Sequence, residues 1–202
     1  MKEVFEMQEG TIKWNCQKRV NGTVNQIILY EKYLIIVEET QKCHGVILIG
    51  DEKQMYYPWS EDFWKCRILQ TEVTSKGIYF LTEPVIEQQE MCRKKEIKCL
   101  PYDEEEGKFE KMVTGATYYL DENVEMNYWE GALYTFTSKA PERCKIEAIG
   151  KKGEKIARIT ISPRQDYFMR SINGKCCFLV YEKDKKENVQ IYDSNLQQIE
   201  VY

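Results

Sequence analysis

Apolar and polar residues alternate along most of this chain. Ile47 and Ile49 flank one intervening residue, as do Ile78 and Phe80, and Ile146 and Ala148. Longer alternations run through Ala132, Tyr134 and Phe136, and through Ala157, Ile159 and Ile161. Elsewhere apolar residues gather in short runs bounded by Gly, Asp, Asn or Lys. A period of two puts every second side chain on one face, as in a half-buried strand. Short runs closed by turn-forming residues point the same way. The pattern predicts an all-β protein. One exception follows Glu83-Pro84, where Pro84 suits the first position of a helix continuing from Val85 to Cys92. An irregular loop fits that segment equally well.

The strands recur as a repeat. Each unit has an apolar strand, a turn, a second apolar strand, a polar loop, a third alternating strand, a charged turn and a short fourth strand. The second strands are Y-L-I-I-V-E, K-G-I-Y-F-L-T-E, E-G-A-L-Y-T-F-T and N-G-K-C-C-F-L-V-Y-E. The third strands are G-V-I-L-I-G, E-I-K-C-L-P-Y, C-K-I-E-A-I and N-V-Q-I-Y. With Lys32, Gly77, Gly131 and Gly174 as equivalent turn positions, the intervals are 45, 54 and 43 residues. The insertion from Glu83 to Glu96 accounts for the long one. Ahead of the repeats, K-E-V-F-E-M, Q-E-G and T-I-K-W-N-C read as one more hairpin. The expected organisation is a single all-β domain over residues 1–202, with a hairpin at 1–20 and units at 21–65, 66–112, 113–160 and 161–202.

Four antiparallel strands at this interval resemble the blades of a small or partial β-propeller of the quinoprotein-like or WD40-like kind. Endings such as I-Y-D-S-N-L-Q-Q-I-E-V are similar to the outer strands of such blades. The resemblance implies sheets packed face to face around an axis. It implies no residue roles, because the W-D and G-H signatures, the paired glycines of kelch repeats and the sialidase box are all absent. A β-sandwich or barrel is the alternative architecture.

Composition narrows the function. The 202 residues carry 29 Lys and Arg against 33 Asp and Glu, a net charge of -4, which disfavours nucleic acid and anionic membranes as partners. The apolar share of 43% is enough for a packed core. The first residues are charged and resemble no export signal, so a cytoplasmic setting is expected, with the eight cysteines as free thiols.

Recognisable chemistry is sparse. His44 is the one histidine and follows Cys43 directly, so a strand would send the two to opposite faces. No C-x-x-C occurs, and no phosphate-binding, dinucleotide or nucleophile-elbow motif is present. Asp103-Glu104-Glu105-Glu106 lacks the ligand alternation of a calcium loop and reads as an exposed turn. No catalytic residue, metal site or cofactor is expected. Tyr118-Tyr119 and Tyr128-Trp129 read as strand starts that pack inside. The densest aromatic segment runs from Tyr56 and Tyr57 through Trp59 to Phe63 and Trp64, around Pro58. Read as a connecting loop, it is the candidate partner-contact site, since Tyr and Trp are favoured at contact hot spots.

The expectation is a non-catalytic protein-interaction module, an immunity-type inhibitor or an adaptor, and not an enzyme. A protein partner is expected, with self-association if the blade ring is incomplete. The alternative is a small-ligand or glycan-binding propeller-like protein. The strand pattern generates a first prediction: far-UV circular dichroism shows a β-dominated spectrum with helix below roughly a fifth. Strong helical minima would refute the repeat.

Overall fold

The computed structural model describes residues 2–9, 12–19, 23–31, 33–39, 44–50, 53–58, 66–84, 94–138, 144–173, 175–184 and 188–201. The chain divides into two compact units, Met1–Lys65 and Cys66–Tyr202. The candidate helix beyond Pro84 lies outside the described residues. Pro84 itself is the last residue of a strand.

In the first unit, β1 (Lys2–Glu9) and β2 (Ile12–Arg19) form a hairpin that pairs Lys2 with Arg19 at one end and Glu9 with Ile12 at the other. The strands β3 (Thr23–Tyr30), β4 (Tyr33–Glu39), β5 (His44–Gly50) and β6 (Lys53–Pro58) make an antiparallel meander in chain order. The run Leu34-Ile35-Ile36-Val37 in β4 is buried at every position. That explains why its sequence is continuous and not alternating: a strand covered on both faces needs apolar residues throughout.

The second unit holds three sheets. The first contains β7 (Cys66–Thr74), β8 (Gly77–Pro84) and β9 (Lys94–Asp103). Its outer edge is shared by two short strands, β10 (Lys108–Phe109) and β11 (Val113–Tyr119), which pair end to end along β9. The second sheet is β12 (Asn123–Trp129), β13 (Ala132–Ser138), β14 (Cys144–Ile149) and β15 (Lys155–Ile161). The third is β16 (Gln165–Ile172), β17 (Lys175–Glu182), β18 (Gln190–Tyr192) and β19 (Gln198–Val201). Every pairing is between strands running in opposite directions, and each sheet is an up-and-down meander.

Four-stranded antiparallel sheets, with β10 and β11 sharing the fourth place in one of them, follow an N-terminal hairpin, the all-β, propeller-like organisation that the pattern predicts. One register differs. The hairpins close at Thr74–Gly77, Trp129–Ala132 and Ile172–Lys175, so Gly77 matches Ala132 and not Gly131. Ser75 and Lys76 fill the turn, and Gly77 opens the next strand.

Within this unit the sheets stack in sequence order. Tyr79, Leu81, Ile97 and Cys99 of the first sheet, with Ala116 and Tyr118, pack on Val124, Met126, Leu133 and Ile149 of the second. Tyr134, Ile146, Ala148, Ile159 and Ile161, on the opposite face of the second sheet, pack on Phe178, Val180 and Leu196 of the third. Alternation along β13 thus feeds two separate cores, Leu133 to one and Tyr134 to the other.

A polar tether accompanies each stacking step. The Tyr79 hydroxyl donates to the Lys151 carbonyl at 3.2 Å, in the β14–β15 turn of the following sheet. The Tyr134 hydroxyl donates to the Ser194 carbonyl at 2.8 Å, in the β18–β19 turn of the sheet after that. The two tyrosines occupy matching positions, each two residues past its hairpin closure. On the inner side, the Gln70 amide bonds the Met126 backbone twice, donating to its carbonyl at 2.6 Å and accepting from its N–H at 2.8 Å.

Tyr118-Tyr119 and Tyr128-Trp129 end their strands; they do not begin them. Neighbours on a strand face opposite ways, so Tyr118 is buried while Tyr119 is 61% exposed.

The tightest approach between sheets is glycine on glycine. A Cβ on Gly115 would lie 2.3 Å from the Gly153 carbonyl carbon, whereas one on Gly131 would meet nothing within 4 Å. Both Gly131 and Gly153 have φ near +80°. Gly115→Ala is expected to destabilise the protein by about 3 kcal/mol, the upper end for overpacking, because the obstacle is backbone. Gly131→Ala is expected to cost only the left-handed strain, about 1 kcal/mol. Urea unfolding of the two variants checks the ordering.

Candidate functional site

The glycine contact arises from a bulge. Pairing of β11 with β9 breaks between Thr114 and Thr117, which frees Gly115 and Ala116 from the ladder. The Ala116 N–H then donates to the Gly153 carbonyl at 2.7 Å, across to the second sheet. A bulge re-aims backbone groups in this way. The β14–β15 turn that receives it is held by its own bonds, Gly150 N–H to the Glu154 carbonyl at 2.8 Å and Gly153 N–H to the Gly150 carbonyl at 3.0 Å. Glu154 also accepts the Lys152 N–H at 2.9 Å.

Beside this joint lies an open cleft of about 650 Å³. One wall is Val113 to Thr117 of β11, and the other is Lys152, Glu154 and Lys155. Its lining therefore includes two threonines, two lysines and one glutamate.

Buried polar groups support those walls. Lys98, only 6% exposed, donates to the Thr114 hydroxyl at 2.7 Å and pairs with Glu96 at 2.7 Å. Lys155 pairs with the buried Glu147 at 3.0 Å and sits 4.0 Å over the Tyr118 ring. The Tyr118 and Thr135 hydroxyls bond each other at 2.9 Å. Burial pushes the Tyr118 phenol well above its ordinary range, so it stays protonated. Lys98 and Lys155 are thus neutralised by Glu96 and Glu147. Among the described residues, no carboxylate pairs with the Lys152 ammonium.

Beneath the turn, the Cys99 thiol donates to the Lys151 carbonyl at 3.1 Å. Burial pushes this thiol up to about 12. Cys66, Cys99, Cys144 and Cys177 carry free thiols. No group of three or more metal-donor side chains occurs among the described residues.

The sequence-derived aromatic site falls elsewhere. Tyr56 and Tyr57 lie in β6, opposite Ile47 and Val46, so the segment begins as a strand and not as a loop. Trp59, Phe63 and Trp64 lie outside the described residues. His44 opens β5 opposite Glu39.

The cleft residues had no motif to mark them. Lys152, Glu154 and Lys155 belong to a stretch that reads as a charged turn. A glycine inside an alternating strand, Gly115, was the one available sign of a bulge or close approach.

No family model matches the sequence, and no curated protein is similar to it. Among solved structures, the chain is similar to dihydro-heme d1 dehydrogenase NirN in complex with DHE. There the TM-score is 0.42 and the identity 14%, over 93% of this chain and 39% of that one. It is also similar to Bacteroides ovatus xyloglucan PUL GH43B, with a TM-score of 0.34 and 10% identity over 91% of this chain and 41% of that one. The chain spans about two fifths of the length of each.

At these scores and identities the likeness gives no activity to this chain, and the expectation of a non-catalytic protein-interaction module that is not an enzyme is withdrawn. The likeness transfers no residue's role.

The buried thiol carries a pH prediction. Its folded value, about 12, lies above the ordinary 9.0, so the unfolded chain loses this proton first as pH rises. Its contribution to stability is complete below pH 9 and declines until about pH 12. Melting temperature is expected to fall across that window, and less steeply in Cys99→Ala. An unchanged slope in the variant would show that other groups govern alkaline unfolding.

Proposed function

We propose that the protein binds a small, hydroxyl-rich ligand bearing an acidic group, an acidic sugar by class, in the cleft beside β11. The observation that carries this reading is the lining itself. The Thr114 and Thr117 hydroxyls and the Glu154 carboxylate suit a polyol, and the Lys152 ammonium suits a carboxylate. A concave site with a few convergent polar groups is the usual form of a small-molecule site. Among the described residues no aromatic ring lines the cleft, so recognition by this lining rests on hydrogen bonds and charge.

Oligosaccharides of galacturonate and glucuronate serve as probes, with their neutral counterparts as controls. Titration calorimetry is expected to show binding of the acidic probes that weakens with added salt, as an exposed ammonium requires. Lys152→Ala and Thr117→Ala are each expected to weaken it about tenfold while leaving the melting temperature within a few degrees, since both side chains are exposed. Equal affinity for neutral probes, or full affinity in Lys152→Ala, would refute the assignment.

A further inference from the structure

The third sheet of the second unit carries exposed apolar residues on the face turned away from the second sheet. In the first sheet, both Ile78 and Phe80 on one face and Tyr79 and Leu81 on the other are at most 1% exposed. In the third sheet, Phe178 and Val180 are buried against the second sheet; on the opposite face Cys177 is buried too, but the residues of β16 are exposed. There Phe168 is 40% exposed and Ile172 42%. Leu179, opposite Phe168, and Tyr181, opposite Asp166, are only half-buried. Phe168 and Tyr181 meet edge to face at 5.8 Å, and the Arg170 guanidinium lies 5.7 Å from the Phe168 ring.

This face corresponds by register to the faces that carry Tyr79 and Tyr134, each of which is covered by another sheet. Its charges define what covers it here. Along β16 the outward residues are Asp166, Phe168 and Arg170, all exposed. Phe168 is central, with an acid two residues to one side and a base two residues to the other. A two-fold axis through Phe168 lays Asp166 of one chain over Arg170 of the other, and the reverse. A two-fold interface requires such self-complementarity, in which one residue meets a second and the second meets the first.

We infer that the protein forms a two-fold dimer through the β16–β17 face, with Phe168 stacked at the centre and two Asp166–Arg170 ion pairs flanking it. The partner is a second copy of the same chain. The inference is independent of the cleft, which lies between the first and second sheets.

Charge exchange tests the pairing. Sedimentation equilibrium of the wild-type chain is expected to give twice the chain mass at micromolar concentration. Arg170→Asp and Asp166→Arg each place like charges across the axis, which opposes association. Each is expected to weaken dimerisation at least tenfold. The double variant D166R/R170D restores opposite charges and is expected to recover the dimer. Circular dichroism melts establish that each variant is folded. If a reversal fails to fold, Arg170→Gln and Asp166→Asn read the same contact and are expected to weaken the dimer. A monomeric wild type at 100 μM, dimers that survive both single changes, or a folded double variant that stays monomeric would each overturn the proposal.

Discussion

The contact between the Gly115 and Gly153 backbones is the constraint on which the second unit depends. It brings two sheets closer than any side chain would allow. That closeness delivers the Ala116 N–H to the second sheet and seats the β14–β15 turn over Tyr79 and Cys99. The cleft is a by-product of the same joint. Its walls are the bulged strand and the seated turn, so the backbone that carries the lining residues is fixed by the joint.

Polar groups between the sheets divide their work. Some tie turns down: the Tyr79 and Tyr134 hydroxyls each bond a carbonyl of the following sheet. Others balance charge, as Glu147 does for Lys155 and Glu96 for Lys98. A buried carboxylate and a buried ammonium are tolerable only as such pairs.

The strand order was legible because burial on alternate faces writes itself into the sequence. In β12, Val124 and Met126 are buried between exposed neighbours, and the period of two is plain. The double burial of β4 was equally visible as an unbroken apolar run. The candidate site was not legible, for a physical reason. The Gly115–Gly153 contact joins residues far apart in the chain, and neither glycine belongs to a motif. The turn position at Gly77 was misplaced by one because Ser75-Lys76 forms a tight turn without the usual glycine. The absence of motifs is a signal blind to clefts assembled from turns and bulges.

The Gln70 side chain has a consequence for solubility. An edge strand such as β12 presents backbone donors and acceptors along its free side, the template on which foreign strands add and fibrils grow. The Gln70 amide has the same donor and acceptor as a peptide group, and it occupies both the N–H and the carbonyl of Met126. One side chain thus stands in for a single residue of a neighbouring strand and then stops, because no ladder follows it. The edge is capped by an imitation peptide bond too short to be extended.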